Sequence, residues 1–194
     1  MSSPPEIDFS PDEQHAMLAL ARSAVLGALA GKAPEVSAGE PACLSLRRGV
    51  FVTIQVAGKL RGCIGVIEAR ETLRESIVHC AESAAFHDRR FAPLRADEVG
   101  GLQIEISVLS ELFPLLPGGI EIGKHGLFIT AGHHQGLLLP QVAVEHRLSR
   151  EQFLEETCYK AGLPRDAWRE IETRLSGFTC AIFQEEAPAG SAAG

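Results

Sequence analysis

The segment Leu60-Arg61-Gly62-Cys63-Ile64-Gly65 sets one thiol between two glycines, with a guanidinium two residues upstream. Glycine removes side-chain cover and widens the choice of backbone angles, so the pattern predicts close approach by another group. Read as a strand, its side chains alternate. Arg61, Cys63 and Gly65 then share one face, and Leu60, Ile64 and Val66 point toward a core. A positive charge beside a thiol favours its nucleophilic form, which makes Cys63 a candidate nucleophile with Arg61 as its cation. The competing reading is an inert, buried cysteine in a glycine-rich bulge that only shapes the backbone.

Other residues could complete such a site. His87-Asp88-Arg89-Arg90-Phe91 crowds polar and aromatic groups where a helix breaks. Asp88 and Arg90 could pair with each other or hold an anionic ligand, and cations there also offset the helix dipole. His125 precedes Gly126 with Lys124 adjacent, in a setting that suggests a special backbone angle or a loop hydrogen bond. Metal binding finds no support in the spacing. The seven histidines form no H-E-x-x-H, His133 and His134 are adjacent on a glycine turn, and the five cysteines form no C-x-x-C. Walker, G-x-G-x-x-G and G-x-S-x-G signatures are absent as well, so no cofactor is expected.

The elements that must position these residues follow from caps and periodicity. Ser10-Pro11-Asp12-Glu13 is a capping box that opens a helix to about Ala30, stopped by Gly31. After a loop over 31–41, Leu44 to Arg47 and Val50 to Val56 read as strands. Ala57-Gly58-Lys59 is a tight turn, and Leu60 to Ile67 returns as the partner strand, so the hexapeptide lies on the second arm of a hairpin. Its glycines predict a bulge there. Thr72-Leu73-Arg74-Glu75 caps a helix to about Phe86, with Cys80 on its apolar face. Leu102 to Leu109 alternates as a strand, and Gly118 to Ile122 reads as a short one. Leu127 to Thr130 turns through 131–136 into Leu137 to Pro140, and Pro140 starts a short helix. Ser149 caps a helix to about Ala161 stopped by Gly162, a short helix around Arg165 to Ile171 carries Trp168, and Phe178 to Phe183 closes as one strand. Hairpins separated by single helices predict an α+β fold, with antiparallel sheets of hairpins and packed helices.

Composition bounds the function. A net charge of −7 over 194 residues argues against a generic nucleic-acid binder. No run approaches the ~18 apolar residues of a membrane span. Five widely spaced cysteines and an N-terminus without signal-peptide character point to free thiols in the cytoplasm. The expected organisation is a flexible N-terminus over 1–11, one folded domain over 12–185 and a disordered tail over 186–194.

These blocks, taken in order, resemble the AMMECR-one domain family. The hexapeptide matches its hallmark. Asp88-x-Arg90-Phe91 with Pro93-Leu94 and Glu98, Ser107-Val108-Leu109, and Gly123-x-His125-Gly126-Leu127 follow it. Leu139 to Ala143, Phe153-Leu154, and Lys160 to Leu163 before Trp168 complete the match over about residues 12–185. The resemblance implies a compact α+β protein of two unequal lobes. It also implies a setting beside Memo-like and radical-SAM proteins, in the arrangement called the AmmeMemoRadiSam system, and delivers no reaction. Two readings follow. In one, the protein binds an unknown small molecule, a protein substrate or one of those partners at the Arg61–Gly65 surface, with Gly62, Gly65, Asp88 and Arg90 as contacts. In the other, Cys63 is a thiolate nucleophile served by Arg61 and His125.

Overall fold

The computed structural model describes residues 7–32, 39–68 and 70–186. The expectations for the first six residues, for the tail beyond 186 and for most of the loop over 31–41 fall outside them. Two compact units partition the chain. Among the described residues, one comprises Asp8–Val108 with the chain from 181 on, and the other comprises Ile7 with Leu109–Cys180.

The first unit begins with helix α1 (Pro11–Leu29), whose capping box is closed: Ser10 Oγ accepts from the Glu13 amide, and the Glu13 carboxylate accepts from the Ser10 amide. Gly31, at φ 65°, follows its end. Strands β1 (Val50–Val56) and β2 (Lys59–Val66) form the expected hairpin, and Ala57 and Gly58 turn it at φ 50° and 74°. Two positive φ values in succession match the right-handed twist of the flanking strands. Helix α2 (Leu73–Phe86) starts from a second closed capping box at Thr72 and Glu75. Strand β3 (Leu102–Leu109) pairs antiparallel with β1 over its full length. The sheet order is β2-β1-β3-β8, with β8 spanning Cys180–Gln184.

One face of that sheet carries Val50, Val52, Ile54, Ile104, Ile106 and Val108, all fully buried. Helix α2 packs on β1 and β2, and α1 packs on α2. Arg22 of α1 grips Glu185 through Nε and Nη2, at 2.6 Å each, and donates to the Leu102 carbonyl, fixing the end of the sheet.

The second unit holds a sheet of order β4-β7-β5-β6. Its strands are β4 (Phe113–Pro114), β5 (Gly126–Ala131), β6 (His134–Leu138) and β7 (Arg174–Phe178). Helices α3 (Pro140–Glu145) and α4 (Arg150–Lys160) belong to this unit, whose core gathers Ile120, Leu127, Ile129, Phe153, Leu154 and Cys158.

Five expected elements are corrected. The loop over 131–136 narrows to Gly132 and His133, because Ala131 and His134 already pair as the ends of β5 (Gly126–Ala131) and β6 (His134–Leu138). Leu44 to Arg47 is no strand, because Ala42–Ser45 forms a 3₁₀ turn with Cys43 and Leu44 buried. Gly118 to Ile122 is a 3₁₀ turn over Pro117–Gly119 followed by a further turn, since Pro-Gly-Gly favours turning over extension. The Trp168 helix shrinks to the 3₁₀ turn Ala167–Arg169. Phe178 to Phe183 is two strands: the chain leaves β7 at Phe178 and enters β8 at Cys180, with Thr179 between them. Ser110 fixes that break, giving its amide to the Thr179 carbonyl and accepting the Thr179 amide on Oγ. The α+β class holds.

Candidate functional site

Strand β2 pairs with β1 through a bulge. Gln55 faces Leu60, whereas Ile54 faces Gly62, so Arg61 is the extra residue. Beyond it Gly62, Ile64 and Val66 face Ile54, Val52 and Val50, on the core side. Cys63 and Gly65 face Thr53 and Phe51, on the opposite side. The alternation expected for Cys63, Gly65, Ile64 and Val66 is therefore observed. Arg61, expected on the Cys63 face, is instead the unpaired residue of the bulge, and Leu60 is the other exception. It pairs with Gln55 across the bulge and is 46% exposed, because one inserted residue exchanges the faces of everything on either side of it.

The two glycines are close-approach positions, and the approaching groups come from the protein itself. A Cβ on Gly62 would lie 1.9 Å from the Ala84 carbonyl oxygen, so only glycine lets α2 descend onto β2. A Cβ on Gly65 would lie 2.2 Å from the Phe51 ring, which covers the site of the missing side chain.

Arg61 is engaged away from the sulfur. Its Nε and Nη2 donate to the two Glu98 oxygens at 2.8 and 3.2 Å, and its remaining bonds go to the Ala92 and Pro93 carbonyls. The Arg61 guanidinium holds the Glu98 carboxyl below the usual carboxylate range. Arg61 thus ties the bulge to the segment after α2, a task that sequence alternation did not suggest.

Asp88 and Arg90 are brought directly to Cys63. Helix α2 ends at His87, and Asp88 opens a turn in which its Oδ1 accepts from the Arg90 amide at 3.1 Å. Oδ2 accepts from the Cys63 amide at 3.0 Å. Arg90 closes the arrangement, with Nε on Oδ1 at 3.0 Å, Nη2 on Oδ2 at 2.7 Å, and Nη2 also on the Cys63 carbonyl at 3.3 Å. The Cys63 peptide points outward because β2 is an edge strand. An open edge invites wrong pairing, and this pair of side chains occupies it. Asp88 is almost covered, with 5% of its side chain exposed, while Arg90 is 59% exposed. Its bonds to Arg90, outweighing burial, hold the Asp88 carboxyl far below its ordinary range.

Cys63 is half-buried, and its sulfur accepts a hydrogen bond from the Thr53 hydroxyl at 3.2 Å. Thr53 is flanked on its other side by Glu105 of β3, so one row across three strands reads Cys63, Thr53, Glu105. Neither Thr53 nor Glu105 was legible as a site residue, since only the bulged register sets Thr53 opposite the thiol. Cys80, buried on α2, behaves as the core cysteine its helix face implied. Burial, reinforced by Cys63, pushes its thiol up to about 12.

His125 belongs to the other unit and is 1% exposed. Its Nδ1 accepts from the Glu121 amide at 3.2 Å and its ring meets Phe113 edge-on. Burial lowers its proton affinity. The structure therefore unites Arg61, Gly62, Cys63, Gly65, Asp88 and Arg90 in one unit and gives His125 a local role in the second. Among the described residues, no group of three or more His, Cys, Asp or Glu side chains is arranged to hold a metal ion, and no helix is long and apolar enough to cross a membrane.

The chain is similar to known proteins over most of its length. Proteins of Methanothermobacter thermautotrophicus and Aquifex aeolicus are 40% identical over 186 residues and 42% identical over 179. Those alignments cover 92% and 88% of this chain, and 97% and 92% of the relatives. The crystal structure of the uncharacterised protein PH0010 from Pyrococcus horikoshii superposes with a TM-score of 0.87 at 37% identity, covering 94% of this chain and 96% of that one. The AMMECR1 family model matches residues 18–183, which include the bulged strand, its clamp and both sheets, and the chain belongs to the AMMECR1 family.

Proposed function

We propose that this protein is a binding or assembly component acting in the cytoplasm. It offers the Arg61–Gly65 surface to a ligand, or to a Memo-like or radical-SAM partner in a modification pathway. One observation carries the reading: the other chemically distinctive residues of the segment make contacts that hold the fold, whereas the Cys63 sulfur, on the side away from the core, makes one hydrogen bond, with Thr53. Gly62 admits α2, Gly65 admits the Phe51 ring, and Arg61 ties the bulge to Glu98. Asp88 and Arg90 hold the Cys63 backbone, so their charges serve to fix its position. A half-buried contact group whose backbone is already held suits recognition, because little ordering remains to be done on binding.

A second reading is favoured by the hydroxyl that Thr53 directs at the sulfur, an arrangement that also suits a nucleophile. The test is capture of purified Memo-like and radical-SAM proteins by tagged wild type, Cys63→Ser and Asp88→Ala. Recognition predicts capture by wild type and Cys63→Ser and weakened capture by Asp88→Ala. No capture of either protein by wild type defeats the assembly reading. A folded Cys63→Ser protein that still captures its partner but fails to complement a deletion strain hands the site to the nucleophile.

A further inference from the structure

We propose that Thr53 is a positioning residue for the Cys63 sulfur, an inference that rests on reading Cys63 as the contact group. Cys63 turns its amide and carbonyl outward to Asp88 and Arg90, so Thr53 and Cys63 form a non-hydrogen-bonded pair of the antiparallel ladder. In such pairs the side chains stand closest, with Cβ atoms about 4.5–5.5 Å apart. Threonine is stiff about χ1, so its hydroxyl is held where the strand places it. The 3.2 Å bond runs from that hydroxyl to Sγ and makes the sulfur an acceptor. Any proton on the sulfur must then point away from Thr53, which selects one thiol orientation from those a lone cysteine would sample. The backbone beneath is held from the other side by Asp88 and Arg90, so both ends of the Cys63 residue are fixed.

Iodoacetamide alkylation of Cys63, followed peptide by peptide in wild type, Thr53→Val and Thr53→Ser, tests this. Valine preserves shape and strand preference but removes the donor. Without the donor the sulfur can spread over about three staggered χ1 positions instead of one. The expected result is a roughly threefold slower reaction in Thr53→Val, with Thr53→Ser within about twofold of wild type. Equal rates in wild type and Thr53→Val overturn the proposal. Equal slowing by valine and serine also overturns it, since packing and not the hydroxyl would then be responsible. Partner capture is scored separately, so its failure leaves the alkylation result to stand or fall alone.

Discussion

Replacing Asp88 isolates the clamp that holds Cys63. Its carboxylate accepts from the Cys63 amide, the Arg90 amide and the Arg90 guanidinium. Asp88→Ala strips all of these. The Arg90 side chain is 59% exposed and water replaces its lost partner, so that part is worth at most about 0.5–1 kcal/mol. The Cys63 amide lies on a half-covered edge, where losing an ionised acceptor costs about 1–2 kcal/mol. The Arg90 amide adds about 0.5–1 kcal/mol. The total is about 2–4 kcal/mol. Asparagine keeps one carbonyl acceptor and should cost about half as much. Urea unfolding followed by far-ultraviolet circular dichroism measures the loss. Trp168 fluorescence does not substitute, because Trp168 stands in the other unit. The sign of the pH dependence is fixed. Asp88 binds its proton less readily in the fold than at its ordinary value of 3.8, so its stabilisation is present above 3.8 and lost as pH falls below it. The gap between wild type and Asp88→Asn should therefore be widest near neutrality and close in acid. Amide exchange at Cys63 should accelerate at least about tenfold in Asp88→Ala. A loss below about 0.5 kcal/mol with unchanged Cys63 exchange would refute the clamp.

The two glycines should differ in a telling way. Gly65→Ala meets only the Phe51 side chain and should cost about 1–3 kcal/mol, partly recovered when Phe51→Ala accompanies it. Gly62→Ala meets the Ala84 backbone, should cost more, and should gain nothing from Phe51→Ala; equal costs in urea titrations would count against the assigned contacts. For His125, burial is the main cause of lowered proton affinity, and Lys124 adds to it, while Glu121 and the Gly119 carbonyl oppose it. The unfolded ring takes its proton near 6.5 and the folded ring resists, so this unit should lose stability as pH falls below 6.5. Trp168 fluorescence in urea should show that fall, and His125→Gln should flatten it.

Much of the scaffold was written in local signals. The capping boxes at Ser10, Thr72 and Ser149 placed three helices to within a residue or so, because a cap is a local bond between a side chain and a nearby amide. The alternation of Leu102 to Leu109 gave β3, whose partner β1 buries the same face. Where non-local contact decides, sequence patterning failed. Phe178 to Phe183 looked continuous, yet its halves join different sheets around a Ser110–Thr179 contact sixty-nine residues apart in sequence. The hexapeptide and the Asp88-Arg90 block were legible as candidates. Their tasks were not, since Arg61 finds Glu98 and Asp88 finds the Cys63 amide only after α2 has folded onto the hairpin. Thr53 carried no signal at all, being an ordinary strand residue until the register is known.

That register turns on one residue. A hairpin reversing at Ala57-Gly58 with no bulge would pair Ile54 with Arg61, Thr53 with Gly62 and Val52 with Cys63. The thiol would then join Val52 on the core face, the guanidinium would oppose buried Ile54, and α2 would lose the glycine over which its Ala84 carbonyl now sits. Inserting Arg61 shifts the pairing by one and exchanges the faces of every residue that follows. Gly62 turns under α2, Ile64 and Val66 turn to the core side, and Cys63 turns outward beside Thr53. A bulge leaves its extra residue unpaired and its strand bent, so it persists only if something else holds it. Arg61 is held by Glu98 and two carbonyls, and the strand beyond it by Asp88 and Arg90. The hexapeptide and the Asp88-x-Arg90 block, more than twenty residues apart, are thus two halves of one device, and the side chain it turns outward is the thiol.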